Sequence, residues 1–113
     1  MLEKFEKHIG KPVKVKIGKD EFELKPLTLA QVKDCMVAAT ILSKPNLTKK
    51  EYDEAFNMYI QVLKDVVKAS YPELSDKMVE SFVANNIATL LNALPELAGL
   101  PNPTKEAEQL FKK

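Results

Sequence analysis

The chain contains no arginine, since all 17 of its basic residues are lysine. That removes the planar fork which makes bidentate contacts with phosphates and guanine edges. A net charge of only +1 also provides no overall field to recruit nucleic acid or an anionic membrane. Both facts weigh against a nucleic-acid or membrane partner. Cys35 is the single cysteine, which excludes an intrachain disulfide framework and a multi-thiolate metal site. His8 is the single histidine, so a multi-histidine metal site is excluded as well. With 3 glycines there is no phosphate-cradling loop, and no GxGxxG, GxxxxGK[ST] or HExxH pattern occurs. No run approaches the roughly 20 apolar residues of a membrane span. The first residues carry Glu3, Lys4, Glu6 and Lys7 in place of the apolar core of a secretory signal. These absences lead to the expectation of a soluble protein in a reducing cytoplasm, with no cofactor and no metal.

What the chain does have is apolar material. Its 113 residues fall in the usual range of roughly 100 to 150 for one domain. A 45% apolar fraction is enough for a core, and 29% charged residues are ordinary for a soluble surface. A single domain over 1–113 is expected, with no internal repeat and no low-complexity tract.

Val13, Lys14, Val15, Lys16 and Ile17 alternate apolar and polar, as do Phe22, Glu23 and Leu24. Gly18, Lys19 and Asp20 between them read as a turn, giving a β-hairpin over about 12–25. Its apolar row, Val13, Val15, Ile17, Phe22 and Leu24, needs helices to rest on, because a lone hairpin is marginal in water. Its lysines form the solvated face. Thr28 followed by Gln31 is a capping box, and it predicts a first helix ending near Leu42. Leu29, Val32, Cys35, Met36, Ala39 and Leu42 would be that helix's inner face. Thr48 and Glu51 repeat the box at the head of a longer helix that stops around Ser70, because Pro72 disfavours helical geometry at Tyr71.

Ser75 is the next N-cap, and Met78, Val79, Phe82 and Val83 are the inner face of a third helix interrupted at Asn85 and Asn86. A short fourth helix from about Ile87 to Leu94 should end before Pro95, which closes a helical body over about 28–95. From Pro95 onward the pattern weakens. Gly99, Pro101, Asn102 and Pro103 predict a loop, followed by a capped turn or helix from Thr104 to Lys113 in a partly mobile tail over about 101–113. The fold class is therefore α+β, mainly α: an N-terminal β-hairpin packed on a bundle of about four helices.

Chemistry-bearing residues are sparse. His8 sits in a charged segment, where a surface role accounts for it. Cys35 falls on an apolar helix face, where a free cysteine packs as a small hydrophobe, and as a nucleophile it would need His8 as its base. Glu51, Asp53 and Glu54 open a helix, where the dipole accounts for them. Glu21 and Glu23 alternate along the hairpin as a solvated strand face. No concentrated set of titratable groups marks a catalytic centre, and no enzyme activity is expected.

The remaining signal is an excess of apolar surface. On the long helix, Tyr52, Ala55, Phe56, Tyr59, Leu63, Val66 and Val67 share one face, and Met58, Ile60 and Val62 widen it. A helix this apolar is either central or partner-bound, and a modest interior raises the expectation of a homo-oligomer or client contacts. Met36 and Met78 have the adaptable chemistry of binding surfaces, although a core position suits them too. Aromatic and aliphatic content alone selects Tyr52, Phe56, Tyr59, Leu63, Phe82 and Leu91 as candidate protein-binding residues.

The segments VKVKIGKDEFELKPLTLAQV, VLKDVVKASYPELSDKMVESFV and NNIATLLNALPELAGL follow one another in the chain. In this order they resemble the tail assembly chaperones of long-tailed bacteriophages and of phage-like elements in Gram-positive bacteria. The resemblance runs from Lys14 to Leu100. It is carried by the Lys25-Pro26-Leu27-Thr28 junction and by the turn from Ser70 to Ser75, neither of them a catalytic signature. It implies a chaperone that binds the tape-measure protein in the host cytoplasm during tail assembly, self-associates, and is often also made in a longer frameshifted form. It transfers no defined binding residue. A small head-to-tail connector or tail-completion protein is the alternative from the same setting. A nucleic-acid-binding regulator built on helix-turn-helix-like units is a further one, opposed by the missing arginine and by Glu73, Asp76 and Glu80 beside the third helix.

Overall fold

The computed structural model describes residues 2–99. The expected tail over 101–113, its mobility and its last helix lie outside the described residues. The element order is α1 (Leu2–Glu6), β1 (Val13–Ile17), β2 (Asp20–Leu24), α2 (Leu29–Leu42), α3 (Lys49–Ser70), α4 (Asp76–Asn85) and α5 (Ile87–Leu97). This is the α+β, mainly α fold expected from the sequence.

The hairpin pairs Val13 with Leu24, Val15 with Phe22 and Ile17 with Asp20, so the apolar row lies on one face. Asp20 is thus the first residue of β2 and not part of the turn. Gly18, at φ +63, is followed by Lys19 without a positive φ, the pattern of a two-residue loop with glycine first. Lys14 lies 3.6 Å from Glu21 on the solvated face. On the outer edge of β2, the Glu23 N–H donates to the Tyr71 hydroxyl at 3.0 Å and the Lys25 N–H to Ser70 Oγ at 2.9 Å. The end of α3 therefore covers backbone donors that could otherwise pair with a foreign strand.

All three N-caps form as the sequence predicts: Thr28 and Thr48 make complete capping boxes, and the Ser75 hydroxyl accepts from the Met78 N–H. The long helix α3 is central, packing against α2, α4, α5 and β2. This accounts for its broad apolar surface, with Val62, Leu63, Val66 and Val67 all buried. They join Val15, Leu24, Val79, Val83, Leu90, Leu94 and Leu97 in one core. Asn86 breaks the chain between α4 and α5, its side-chain amide donating to the Phe82 carbonyl at 2.9 Å.

Met78, expected on the inner face of α4, is 57% exposed, since Val79 and Val83 take the buried side of that helix, and two larger expectations are also corrected. Helix α5 does not stop before Pro95 but continues through it to Leu97. Proline costs less than its helix-interior penalty of about 3 kcal/mol this close to the helix end, and burying Leu97, which only the continued helix allows, contributes about 1.5–3 kcal/mol against it. The stop is made instead by Gly99, whose φ of +78 allows a left-handed helix end.

The second correction concerns α2. Leu29, Met36 and Ala39 do not face inward, and Ala38 is the buried residue, with Gln31, Cys35 and Leu42 half-buried on the same side. Because α2 is apolar nearly all round, periodicity does not select its inner face. Close packing of the small Ala38 against α3 does.

Candidate functional site

The correction on α2 leaves an apolar surface in the open. Leu29 is 86% exposed and Met36 64%, with Val37 also exposed. Beside them, Val32, Cys35, Met36 and Ala39 of α2, Tyr59 of α3, and Leu91, Leu94, Pro95 and Ala98 from α5 and its end line a groove of about 340 Å³. On its other side α2 presents a shallower hollow between Leu29, Val32, Lys33, Met36, Val37, Thr40 and Ile41. Val32 and Met36 belong to both, so groove and outer face form one continuous apolar surface. Lys33 is the one charged residue lining either hollow.

Three elements build this groove. The capping box at Thr28 sets the start of α2, and the small Ala38 and Ala55, both fully buried, suit the close approach of α2 and α3. The continuation of α5 past Pro95 supplies the far wall. The surroundings are dry enough to act on two titratable groups. Burial pushes the Cys35 thiol up, with the Asp34 charge adding to the shift. Burial likewise pushes the Tyr59 phenol up, with a smaller contribution from Cys35. A neutral thiol and a neutral phenol in an apolar groove suit packing against apolar side chains.

The sequence-selected residues are distributed over four places. Tyr59 and Leu91 line the groove. Tyr52 and Phe56 stack on each other near the start of α3, ring centres 6.2 Å apart. Phe82 packs edge-on against Phe22 at 5.2 Å, beside a second small hollow shared with Val67, Tyr71, Leu74 and Met78. Leu63 is fully buried in the core and has no surface to offer a partner. The six therefore do not form a single site. Sequence reasoning passed over Val32, Ala39, Val37, Pro95 and Ala98, and over the exposure of Leu29 and Met36. The signal that pointed to them was the lack of a polar face on α2.

Among the described residues, no three metal-ligating side chains come together, and no helix is long and apolar enough to cross a membrane. No protein-family model matches the chain, and neither curated proteins nor solved structures show a significant similarity to it.

Proposed function

We propose that this protein acts by binding rather than by catalysis, as a phage tail assembly chaperone that holds amphipathic helices of the tape-measure protein in the bacterial cytoplasm. The observation that carries this reading is the continuous apolar surface formed by the outer face of α2 and the groove between α2, α3 and α5. Surfaces of this kind take up the apolar face of a partner helix through anchors spaced three and four residues apart. Methionine at the junction, Met36, adapts to varied client side chains without directional hydrogen bonds. An elongated helical client offers many such faces in succession, and covering them keeps it from aggregating. The order of sequence segments described above supports the choice of client.

The test is co-expression with a tape-measure protein from the same phage or prophage region, followed by pull-down and measurement of the client's solubility. Wild-type protein should bind and keep the client soluble, and Leu29→Glu with Met36→Glu should abolish both while leaving the fold intact. A well-folded protein that neither binds nor solubilises the client would sink the reading. Its presence in purified virions in symmetric copy number would favour the connector role.

A further inference from the structure

The chain leaves α5 in the wall of the groove. Ala98, which lines it, donates its N–H to the Leu94 carbonyl at 2.9 Å, and Gly99 follows with a bond to the Glu96 carbonyl at 3.0 Å. Residues 100–113 therefore continue from the rim of the groove itself. Their sequence opens with Pro101 and Pro103 and then places Ala107, Leu110 and Phe111 three and four residues apart, the spacing of one helix face. The binding role proposed above gives this segment nothing to do.

We propose that the segment from Thr104 to Lys113 docks in the groove of its own chain, with Leu110 and Phe111 as its anchors, and holds that groove until a partner helix displaces it. The displacement rests on the binding role proposed above, whereas the docking does not. Three observations support this occupant.

The first is reach. Leu100 to Pro103 spans at most about 14 Å when extended. A helix capped by Thr104, as the sequence predicts, advances about 10 Å by Phe111. The two lengths are similar, so a segment that leaves the rim and folds back brings its two largest apolar side chains to the rim it left.

The second is size. A groove of about 340 Å³ suits a few side chains and not an extended interface. A free ligand with so small a contact would bind weakly, but a segment tethered a few residues away is present at an effective concentration in the millimolar range. A small groove is therefore enough for an occupant carried by the same chain.

The third is chemistry. No charged residue lines the groove, so it offers apolar anchors a dry seat and offers nothing to Lys105, Glu106, Glu108, Lys112 and Lys113. Those five residues lie off the stripe formed by Ala107, Leu110 and Phe111, where a docked helix leaves them in water.

Cys35 lines the groove and reports on its cover without any client present. Its alkylation by iodoacetamide should be about tenfold faster when Leu110→Asn and Phe111→Asn are combined in the full chain, the ratio expected for a segment docked about nine-tenths of the time. Both changes are neutral, so they add no charge beside the thiol. Gln109→Ser, on the opposite side of that helix, should leave the rate unchanged, and a cooperative unfolding transition in each variant shows that the core is intact. An alkylation rate indifferent to the double substitution, or one that Gln109→Ser raises equally, would overturn the proposal. The wild-type rate should also be the same at every protein concentration; a rate that climbs on dilution would place the cover on another molecule and overturn docking within the chain. Failure of a tape-measure client to bind either form would count against the binding role and leave this measurement standing.

Discussion

The Leu27 N–H donates to the Leu97 carbonyl at 3.1 Å, joining the approach to α2 to the last turn of α5. Carbonyls in the last turn of a helix lack an internal partner, and this one finds it in the strand-to-helix junction. The bond holds the far end of α5 beside α2, which places Pro95 and Ala98 on one wall of the groove and Val32 on the other. The exposed apolar surface is thus held in part by a backbone hydrogen bond between two segments distant in the chain.

Pro95→Ala should stabilise the protein. Proline denies the Leu91 carbonyl its helical donor, and alanine restores one at a position where the chain is already helical. The expected gain is about 1–3 kcal/mol, less than the full helix-interior penalty because the last turn is least committed. Chemical denaturation would check it. No gain, or a loss, would show that the ring's packing in the groove wall outweighs the missing hydrogen bond.

Leu29→Glu and Met36→Glu should leave stability within about 0.5 kcal/mol of wild type, since both side chains lie mostly in water. Leu90→Ala, by contrast, should cost about 2–5 kcal/mol, because Leu90 is fully buried and its removal leaves a cavity. Equilibrium unfolding of the three variants separates the surface from the core. A large loss at Met36 would mean that α2 packs inward by the face the sequence first selects.

That contrast also marks how far the sequence could be read. Period-two alternation at Val13 to Ile17 and the capping boxes at Thr28 and Thr48 act through local chemistry, and hairpin and helix starts follow from them. The inner face of α2 and the end of α5 are tertiary outcomes. Ten of the 14 α2 residues, all but Gln31, Lys33, Asp34 and Thr40, are apolar, so only the position of α3 decides which are covered. The burial of Leu97 overrides the local veto of Pro95. Phe5 lies among charged residues, and the five-residue α1 around it is too short for a periodic apolar run to announce it. Of the candidate residues, Tyr59 and Leu91 meet because α3 and α5 cross beside α2, a juxtaposition that no spacing within either helix encodes.

Glu51 should contribute to the acid limb of stability. Its carboxylate is held below its ordinary value first by the hydrogen bond from Lys44, then by the backbone and hydroxyl of Thr48. A folded-state pKa that is lowered means stabilisation present above the unfolded carboxylate value and lost as pH falls through the folded one. Glu51→Gln keeps an N-cap acceptor while removing the titration. Its unfolding free energy should therefore fall less steeply than wild type on acidification below that unfolded value. Parallel acid titrations with identical slopes would remove Glu51 from the account.

Cys35 should alkylate slowly, and the dependence of its rate on pH should reveal why. Burial in the groove is the larger cause of its raised pKa and the Asp34 charge the smaller, so the thiolate fraction at neutral pH is lower than for a free thiol. The rate of reaction with iodoacetamide should rise with pH around a midpoint above the ordinary thiol range. Asp34→Asn should lower that midpoint only part of the way, because the apolar walls of Val32, Ala39 and Leu91 remain. Unfolding in denaturant should return it to the free-thiol value. A midpoint that falls all the way with Asp34→Asn would assign the shift to charge, and the groove would then be wetter than its lining implies. A midpoint unmoved by that substitution would leave burial as the whole cause.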